Sequence, residues 1–213
     1  MMNPLRTTAM RTLALGLWMG LLAACGGEAD GPGSYTQSVM QDRVQRDMRM
    51  RDKESVLPVR RRDAFQGLDY YPVDRTYRYV VSLDRFASPD TVLIAESTGG
   101  VRPQVQIGAV TVPLPGGPTN LLVFRGEGET PRGRRWIPFA DSTNEFATYK
   151  GGRYVDLKPA GSDSVVVDFN RAYNPTCTYN PDFACPLPPP ENRLRQPVPA
   201  GERRPIFRAS APQ

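Results

Sequence analysis

Alternating hydrophobic and polar positions dominate the chain between residues 77 and 169. Short runs with this period of two are separated by turn-forming Gly and Pro residues. Eight such runs can be read: YRYVVSL from Tyr77, TVLIAES from Thr91, VQIGAVTVPL from Val105, NLLVFR from Asn120, RWIPF from Arg135, EFATY from Glu145, RYVDL from Arg153 and SVVVDF from Ser164. No helical pattern interrupts them, so the sequence predicts an antiparallel barrel or sandwich of about eight strands.

One helix is predicted ahead of these strands, over Ser38 to Lys53. Met40, Val44 and Met48 recur there with a spacing of four, which places them on one face of a helix. We therefore expect this Met/Val stripe to dock on the sheet. After the last strand the chain becomes rich in Pro and Asn, which predicts an irregular C-terminal segment.

The N-terminus has the pattern of an export signal. Arg6 and Arg11 precede an apolar run over residues 13–22, which is too short to span a bilayer and is typical of a signal peptide. The run ends in LAAC, which resembles the bacterial lipobox and implies that Cys25 carries a lipid. The alternative is an ordinary secretory cleavage beside an incidental cysteine.

These features predict a simple domain organisation. A lipoprotein signal peptide occupies residues 1–24, a flexible polar tether residues 25–37, a single β-rich domain residues 38–204 and a disordered tail residues 205–213. Gly26, which follows the lipidated cysteine, favours the outer membrane over the inner one. We expect a bacterial envelope protein that faces the periplasm and contacts the membrane through the lipid on Cys25.

Charge and composition exclude several classes of partner and catalytic site. The net charge is +5 and becomes +3 without Arg6 and Arg11, and acidic residues are interspersed among the basic ones, so no nucleic-acid partner is expected. The chain has no histidine, which removes the Ser-His-Asp triad, the Cys-His pair and the usual zinc ligand. Neither a cofactor nor a metal is predicted.

Two further cysteines, Cys177 and Cys185, are eight residues apart. Export to an oxidising compartment favours a disulfide between them. Two alternatives stay open: a metal site that adds Asp182 or Asn180 to the two thiolates, and a reactive thiol.

Long stretches of the sequence also resemble a known family. These are FQGLDYYPVDRTYRY from Phe65, PFADSTNEFATYKGGRYVDL from Pro138, VVVDFNRAYNPTCTYNPDFACPLPPPENRL from Val165 and PVPAGERR from Pro197. Together they resemble an uncharacterised bacterial and archaeal family, number 1684 among the domains of unknown function. The resemblance covers roughly residues 38–204 and implies one domain, but it implies no activity.

The residues that could carry chemistry gather near the C-terminus. Asp168 and Asn170 share one face of the last strand, and each Tyr-Asn-Pro copy fixes a turn, which could arrange polar side chains around one concavity over the barrel mouth. The guanidinium group of Arg153, with its parallel N–H donors, could bind the carboxylate of Asp141 or that of a ligand. The candidate pocket residues are Asp141, Thr143, Arg153, Asp168, Asn170, Asn174, Asn180, Glu191 and Asn192.

Two functions are compatible with this set. The first is a non-catalytic binding or accessory module of the envelope, with a small-molecule, glycan or envelope-protein ligand at the C-terminal loops. The alternative is a histidine-independent hydrolase that uses carboxylates such as Asp141, Asp168 or Glu191. A glycosidase of that kind needs two carboxylates roughly 5 to 9.5 Å apart in one cleft. Carboxylates paired within the protein would favour binding.

Overall fold

The computed structural model describes residues 32–126, 128, 130 and 133–207. The predicted signal peptide, the lipidation site Cys25 and most of the predicted tail lie outside them. Within these ranges lie two α-helices, α1 (Pro32–Arg51) and α2 (Val59–Arg62). The strands are β1 (Arg78–Ser82), β2 (Asp84–Ala95), β3 (Val101–Leu114), β4 (Gly117–Gly126), β5 (Arg135–Phe139), β6 (Arg153–Asp156), β7 (Lys158–Pro159) and β8 (Ser164–Asp168).

Neither helix within these described ranges is long and apolar enough to cross a membrane.

The strands form two antiparallel sheets. One has the order β2-β3-β4-β5-β6 and the other the order β1-β8-β7. Alternate residues of both sheets enter one core, in which Val110 and Leu121 of the larger sheet join Val165 and Val167 of the smaller one. The predicted mainly β, antiparallel fold is confirmed. The predicted barrel is not, because the edge strands β2 and β6 pair with no strand of the smaller sheet in the part of the chain described, and the shared core favours a sandwich-like arrangement.

One of the eight predicted strands is wrong. The segment EFATY forms turns, in which the amides of Ala147 and Thr148 donate to the carbonyl of Thr143 at 3.0 and 3.1 Å, and Glu145 has a positive φ of 73°. These local bonds satisfy backbone groups that a strand would have offered to a neighbour. The short strand β7, which the sequence pattern did not predict, brings the total back to eight.

Gly152 lies directly before β6. It has a φ of 86°, and a Cβ atom at this position would lie 2.6 Å from the carbonyl oxygen of Phe139. A glycine is needed here because the chain passes directly against β5 before it enters β6.

Helix α1 begins at Pro32, earlier than predicted, so it includes residues 32–37 of the expected tether. Its docking face is also not the predicted one. Met40, Val44 and Met48 are 48%, 56% and 65% exposed. The helix instead docks through the buried side chains of Tyr35, Val39 and Met50 and through two arginines, Arg43 and Arg46.

The C-terminal segment from residue 169 onward is irregular, as predicted, apart from three short 3₁₀ turns at Phe169–Arg171, Thr176–Thr178 and Pro190–Asn192. Isolated bridges attach it to the rest of the molecule, including Tyr173 to Tyr154 and Glu202 to Tyr70. The segment is therefore attached both to β6 and to the loop that precedes β1.

Candidate functional site

Asp141 and Arg153 form an ion pair inside the protein. The Nη2 atom of Arg153 donates to Oδ2 of Asp141 at 2.7 Å, and neither side chain is accessible to solvent. The same guanidinium donates to the carbonyl oxygens of Val198 and Ala200 at 2.8 and 2.5 Å. Arg153 thus binds the carboxylate of Asp141 and fastens the C-terminal segment to β6, and both of its terminal nitrogens are engaged within the protein.

Asp168 is also engaged on both of its oxygens. Oδ1 accepts from the Tyr35 hydroxyl at 2.8 Å and from the amide of Asn170 at 3.1 Å, while Oδ2 accepts from Nε of Arg171 at 3.0 Å. Burial raises the pKa of Asp168, although the hydrogen bonds from Tyr35 and Asn170 stabilise its charged form and oppose that rise. The carboxylate joins helix α1 to the end of β8.

Asn170 completes this contact. Its side chain donates to the carbonyl of Asp74 at 2.7 Å and accepts from the amide of Asp74 at 2.8 Å, and it is fully buried. Its own carbonyl accepts from Arg43 of α1 at 3.2 Å. One asparagine therefore connects the helix, the loop before β1 and the C-terminal segment.

Asn174 binds a buried acid that the predicted pocket did not include, Glu202. The Asn174 side chain donates to Oε1 of Glu202 at 2.8 Å, and Oε2 of Glu202 accepts from Arg46 of α1 at 3.1 Å. Burial raises the pKa of Glu202, and the positive charge of Arg46 opposes that rise. Glu202 lies in the sequence PVPAGERR, whose family resemblance was the one signal that could have identified it.

Asn192 lies beside strands β4 and β5, and its side chain makes hydrogen bonds to backbone groups that do not pair between the two strands. Its side chain accepts from the amide of Leu122 at 2.7 Å and donates to the carbonyls of Leu122 and Pro138 at 3.0 and 2.8 Å. Strands β4 and β5 pair directly at only two positions, Phe124 with Trp136 and Arg125 with Arg135. The side-chain amide of Asn192 therefore provides hydrogen-bond partners for backbone groups at the point where these two strands diverge.

The other predicted residues make local contacts or face solvent. The Thr143 hydroxyl lies 2.9 Å from that of Thr148, and Oδ1 of Asn180 accepts from the amide of Asp182 at 3.0 Å. Glu191 is exposed. The structure does not gather the nine predicted residues around one concavity.

Cys177 and Cys185 lie at disulfide distance, with Cα atoms 6.0 Å apart. The loop between them is attached to the end of β2, because the amide of Ser97 donates to the carbonyl of Cys185 at 2.9 Å and the amide of Cys185 donates to the Ser97 hydroxyl at 3.1 Å. Within the described ranges, no group of three or more Cys, Asp or Glu residues could hold a metal ion.

A cleft of about 460 Å³ opens between helix α1 and the β-domain. Its lining is mostly cationic and aromatic. Six basic side chains line it against two acidic ones, Asp42 and Asp156. The basic residues are Arg43, Arg46, Arg49, Arg134, Lys158 and Arg171, and the tyrosines are Tyr70, Tyr154 and Tyr173.

The fold already engages some of these cations. Arg134 pairs with Asp156 at 2.8 Å, Arg171 pairs with Asp42, and Arg46 pairs with Glu202 while it stacks over the ring of Tyr173 at 4.6 Å. Two others, Arg49 and Lys158, are exposed and make no ion pair with any residue that the structure describes. The cleft therefore keeps a positive excess at its surface.

Two buried donors in the cleft are also without an acceptor in the described part of the chain. They are Nε of Arg43 and the hydroxyl of Tyr70. The guanidinium of Arg43 lies over the Tyr70 ring at 4.5 Å, and burial raises the pKa of Tyr70. Sequence reasoning missed this site because it expected the Met/Val stripe of the helix, and not its arginines, to make the contact with the sheet.

Comparison with known proteins identifies the family. The pattern of one family, described as "Protein of unknown function (DUF1684)", matches residues 63–203. The chain belongs to the DUF1684 family. It is also similar to an uncharacterised protein of Haloarcula marismortui solved by solution NMR, with 30% identity, coverage of 80% of this chain and 95% of that chain, and a TM-score of 0.64. No curated protein matches this chain.

The DUF1684 match divides the cleft into two walls. The wall that carries Tyr70, Arg134 and Tyr173 lies within the matched residues 63–203. The wall that carries Arg43, Arg46 and the other α1 residues precedes them. In this DUF1684 protein, the helix that follows the N-terminal segment forms one side of the cleft.

Proposed function

We propose that this DUF1684 protein is a lipid-anchored envelope protein whose folded domain binds a ligand without transforming it. The cleft between α1 and the β-domain carries this proposal, because it is the place where charged and aromatic side chains gather without all being used by the fold. Its volume of about 460 Å³ falls within the range of roughly 300 to 1,000 Å³ that small-molecule sites occupy.

The arrangement of the carboxylates supports binding over hydrolysis. Asp141 is paired with Arg153, and Asp168 is surrounded by Tyr35, Asn170 and Arg171. A hydrolase of the glycosidase type needs two carboxylates that face each other across one cleft and reach the substrate. Carboxylates that are enclosed by internal partners are suited to holding the fold together.

The membrane anchor rests on the sequence LAAC, in which Cys25 would be the first residue of the mature chain. The residue after this cysteine, Gly26, supports placing the protein in the outer membrane, on its periplasmic side.

Fractionation and native mass spectrometry test the two parts of this proposal. Wild-type protein should be recovered with the membranes, and Cys25→Ala should abolish that association; wild-type protein in the soluble periplasmic fraction would contradict the anchor. Native mass spectra of the membrane-extracted protein in a neutral detergent should show a retained small molecule. The bare protein mass in every preparation would count against the binding function.

A further inference from the structure

Arg43 lines the cleft and is held in place by two backbone carbonyls. Nη1 donates to the carbonyl of Tyr71 at 2.9 Å and Nη2 donates to the carbonyl of Asn170 at 3.2 Å. These bonds, together with stacking on Tyr70 at 4.5 Å, fix the plane of the guanidinium. Nε is buried and has no hydrogen-bond partner in the described chain. A buried donor without an acceptor is costly. The Tyr79 hydroxyl and Nε of Arg153 share this status outside the cleft, and Arg43 differs from them in lining it.

The Tyr70 hydroxyl presents a second donor of this kind. It is buried, lines the same cleft and has no partner among the described residues. Because burial raises its pKa, the hydroxyl keeps its proton at neutral pH. Burial lowers the pKa of Arg43, but a guanidinium stays protonated in proteins. Both groups can therefore donate to the same acceptor.

The charges at the cleft surface select the kind of acceptor. Arg49 on α1 and Lys158 on β7 have no acidic partner in the ranges described, and they lie on opposite walls. A cationic ligand would be repelled, and a neutral sugar would leave both charges uncompensated. An oxyanion can accept several hydrogen bonds at once from groups on both walls.

From these observations we infer that the cleft binds a phosphate-class oxyanion, a phosphate ester or a pyrophosphate group, through Arg43 and Tyr70 inside and Arg49 and Lys158 at the rim. The inference rests on the proposed binding function and specifies its ligand. The same chemistry is present in a soluble phosphorylated molecule and in a phospholipid headgroup, and the two differ in whether the phosphate is terminal or a diester.

Calorimetry on the full-length protein in a neutral detergent distinguishes these sources. The probes are pyrophosphate, which has terminal phosphates, and glycerophosphoglycerol, the water-soluble headgroup of phosphatidylglycerol. We expect at least one of them to bind. Pyrophosphate alone would support a soluble phosphorylated ligand, glycerophosphoglycerol alone would support a headgroup, and binding of neither would overturn the inference.

The variant Tyr70→Phe removes the proposed donor and keeps the ring that stacks on Arg43. Affinity for the bound probe should fall about tenfold, as expected for the loss of one hydrogen bond to a charged acceptor. Tyr79→Phe is the matched control, because the Tyr79 hydroxyl is also buried without a described partner but does not line the cleft. Equal affinity of Tyr70→Phe and wild type would contradict the inference.

A second pair of variants tests the rim. Arg49→Gln should weaken binding several-fold at low salt and by less at high salt, since exposed charges are screened. Arg60→Gln removes an equally exposed charge that does not line the cleft, and it should leave the affinity unchanged. If both substitutions weaken binding alike, the effect comes from net charge and not from the cleft, which would overturn the proposed role of Arg49.

The mass spectra separate failure of this inference from failure of the proposed function. If neither probe binds but the purified protein retains a neutral molecule, the binding function stands and the oxyanion is wrong. If neither probe binds and no molecule is retained, both are wrong.

Discussion

Two regions of this protein contain the same kinds of polar residue and use them differently. Around the C-terminal segment, Asn192 of the segment and the pair Asp141 and Arg153 that fastens it are buried and bonded within the protein. In the cleft, Arg49 and Lys158 are exposed without an ion-pair partner in the described chain. Residue type is therefore a poor guide to the site, and what distinguishes the two regions is whether each polar group already has its partner.

Asn170 and Glu202 are two of the residues at which the regions meet. Asn170 accepts a hydrogen bond from Arg43 through its backbone, and Glu202 accepts one from Arg46 through its side chain. Both arginines line the cleft. The polar C-terminal segment thus positions the α1 wall, and its role in binding would be to hold the site in shape. We accordingly expect substitutions around the C-terminal segment to lower mainly the unfolding free energy, and substitutions at the exposed cleft residues to lower mainly the affinity for the ligand.

The largest effect is expected for Arg153→Ala. This change leaves the carboxylate of Asp141 buried without its cation and removes the donor to Val198 and Ala200. Breaking a buried pair from one side costs about 3 to 5 kcal/mol of unfolding free energy, which urea denaturation measures. The double variant Asp141→Leu, Arg153→Met should lose less than Arg153→Ala alone, because no charge stays buried.

An exposed ion pair provides the control for this variant. Arg85 and Asp163 lie 4.0 Å apart with side chains 45% and 77% exposed. Arg85→Ala should cost less than about 1 kcal/mol, since solvent screens such pairs. If Arg153→Ala cost no more than that, the buried pair would not be what holds the C-terminal segment to β6.

The double variant Cys177→Ser, Cys185→Ser comes next. If the two thiols are bonded, the variant should lose about 2 to 4 kcal/mol of stability with its strands intact, as measured by denaturation and circular dichroism. A reducing agent should destabilise the wild type to the same level and leave the variant unchanged. Two reactive thiols in the unreduced, denatured wild type would show that no bridge exists, and a metal or redox role would then need testing.

The fold was largely predictable because the period of two in the sequence directly reflects burial of one strand face. This holds for β8 and for the second half of β3, where buried residues alternate with more exposed ones. In β5, by contrast, the four residues after Arg135 are all buried. The segment EFATY shows the same period but forms turns, since its backbone finds partners in Thr143. A short pattern cannot reveal that competition between local and ladder hydrogen bonds.

The docking face of α1 and the cleft were not predictable in the same way. Hydrophobic periodicity identifies Met40, Val44 and Met48 as the docking face, but these residues are exposed. The helix docks partly through guanidinium groups, which donate to carbonyls and stack on tyrosine rings. Such contacts join residues far apart in sequence, as Arg43 and Asn170 do. The sequence did place the irregular polar segment correctly after the last strand, but not the partners of its side chains.

A smaller effect is expected for Asn192→Ala. The substitution leaves the amide and carbonyl of Leu122 and the carbonyl of Pro138 unpaired, which should cost about 1 to 3 kcal/mol of stability. Affinity for the cleft probe should not change, because Asn192 does not line the cleft. Asn180→Ala is the control, since Asn180 makes only a local bond to Asp182. A lower affinity with unchanged stability would show that Asn192 contributes to ligand binding after all.

The smallest effect on stability is expected for Lys158→Gln in the cleft. Lys158 is exposed and has no ion-pair partner in the ranges described, so its loss should change the unfolding free energy by no more than about 0.5 kcal/mol. Probe affinity should nevertheless decrease, most strongly at low salt. A clear loss of stability in urea would mean that Lys158 serves the fold, and the contrast between the two regions would then no longer hold.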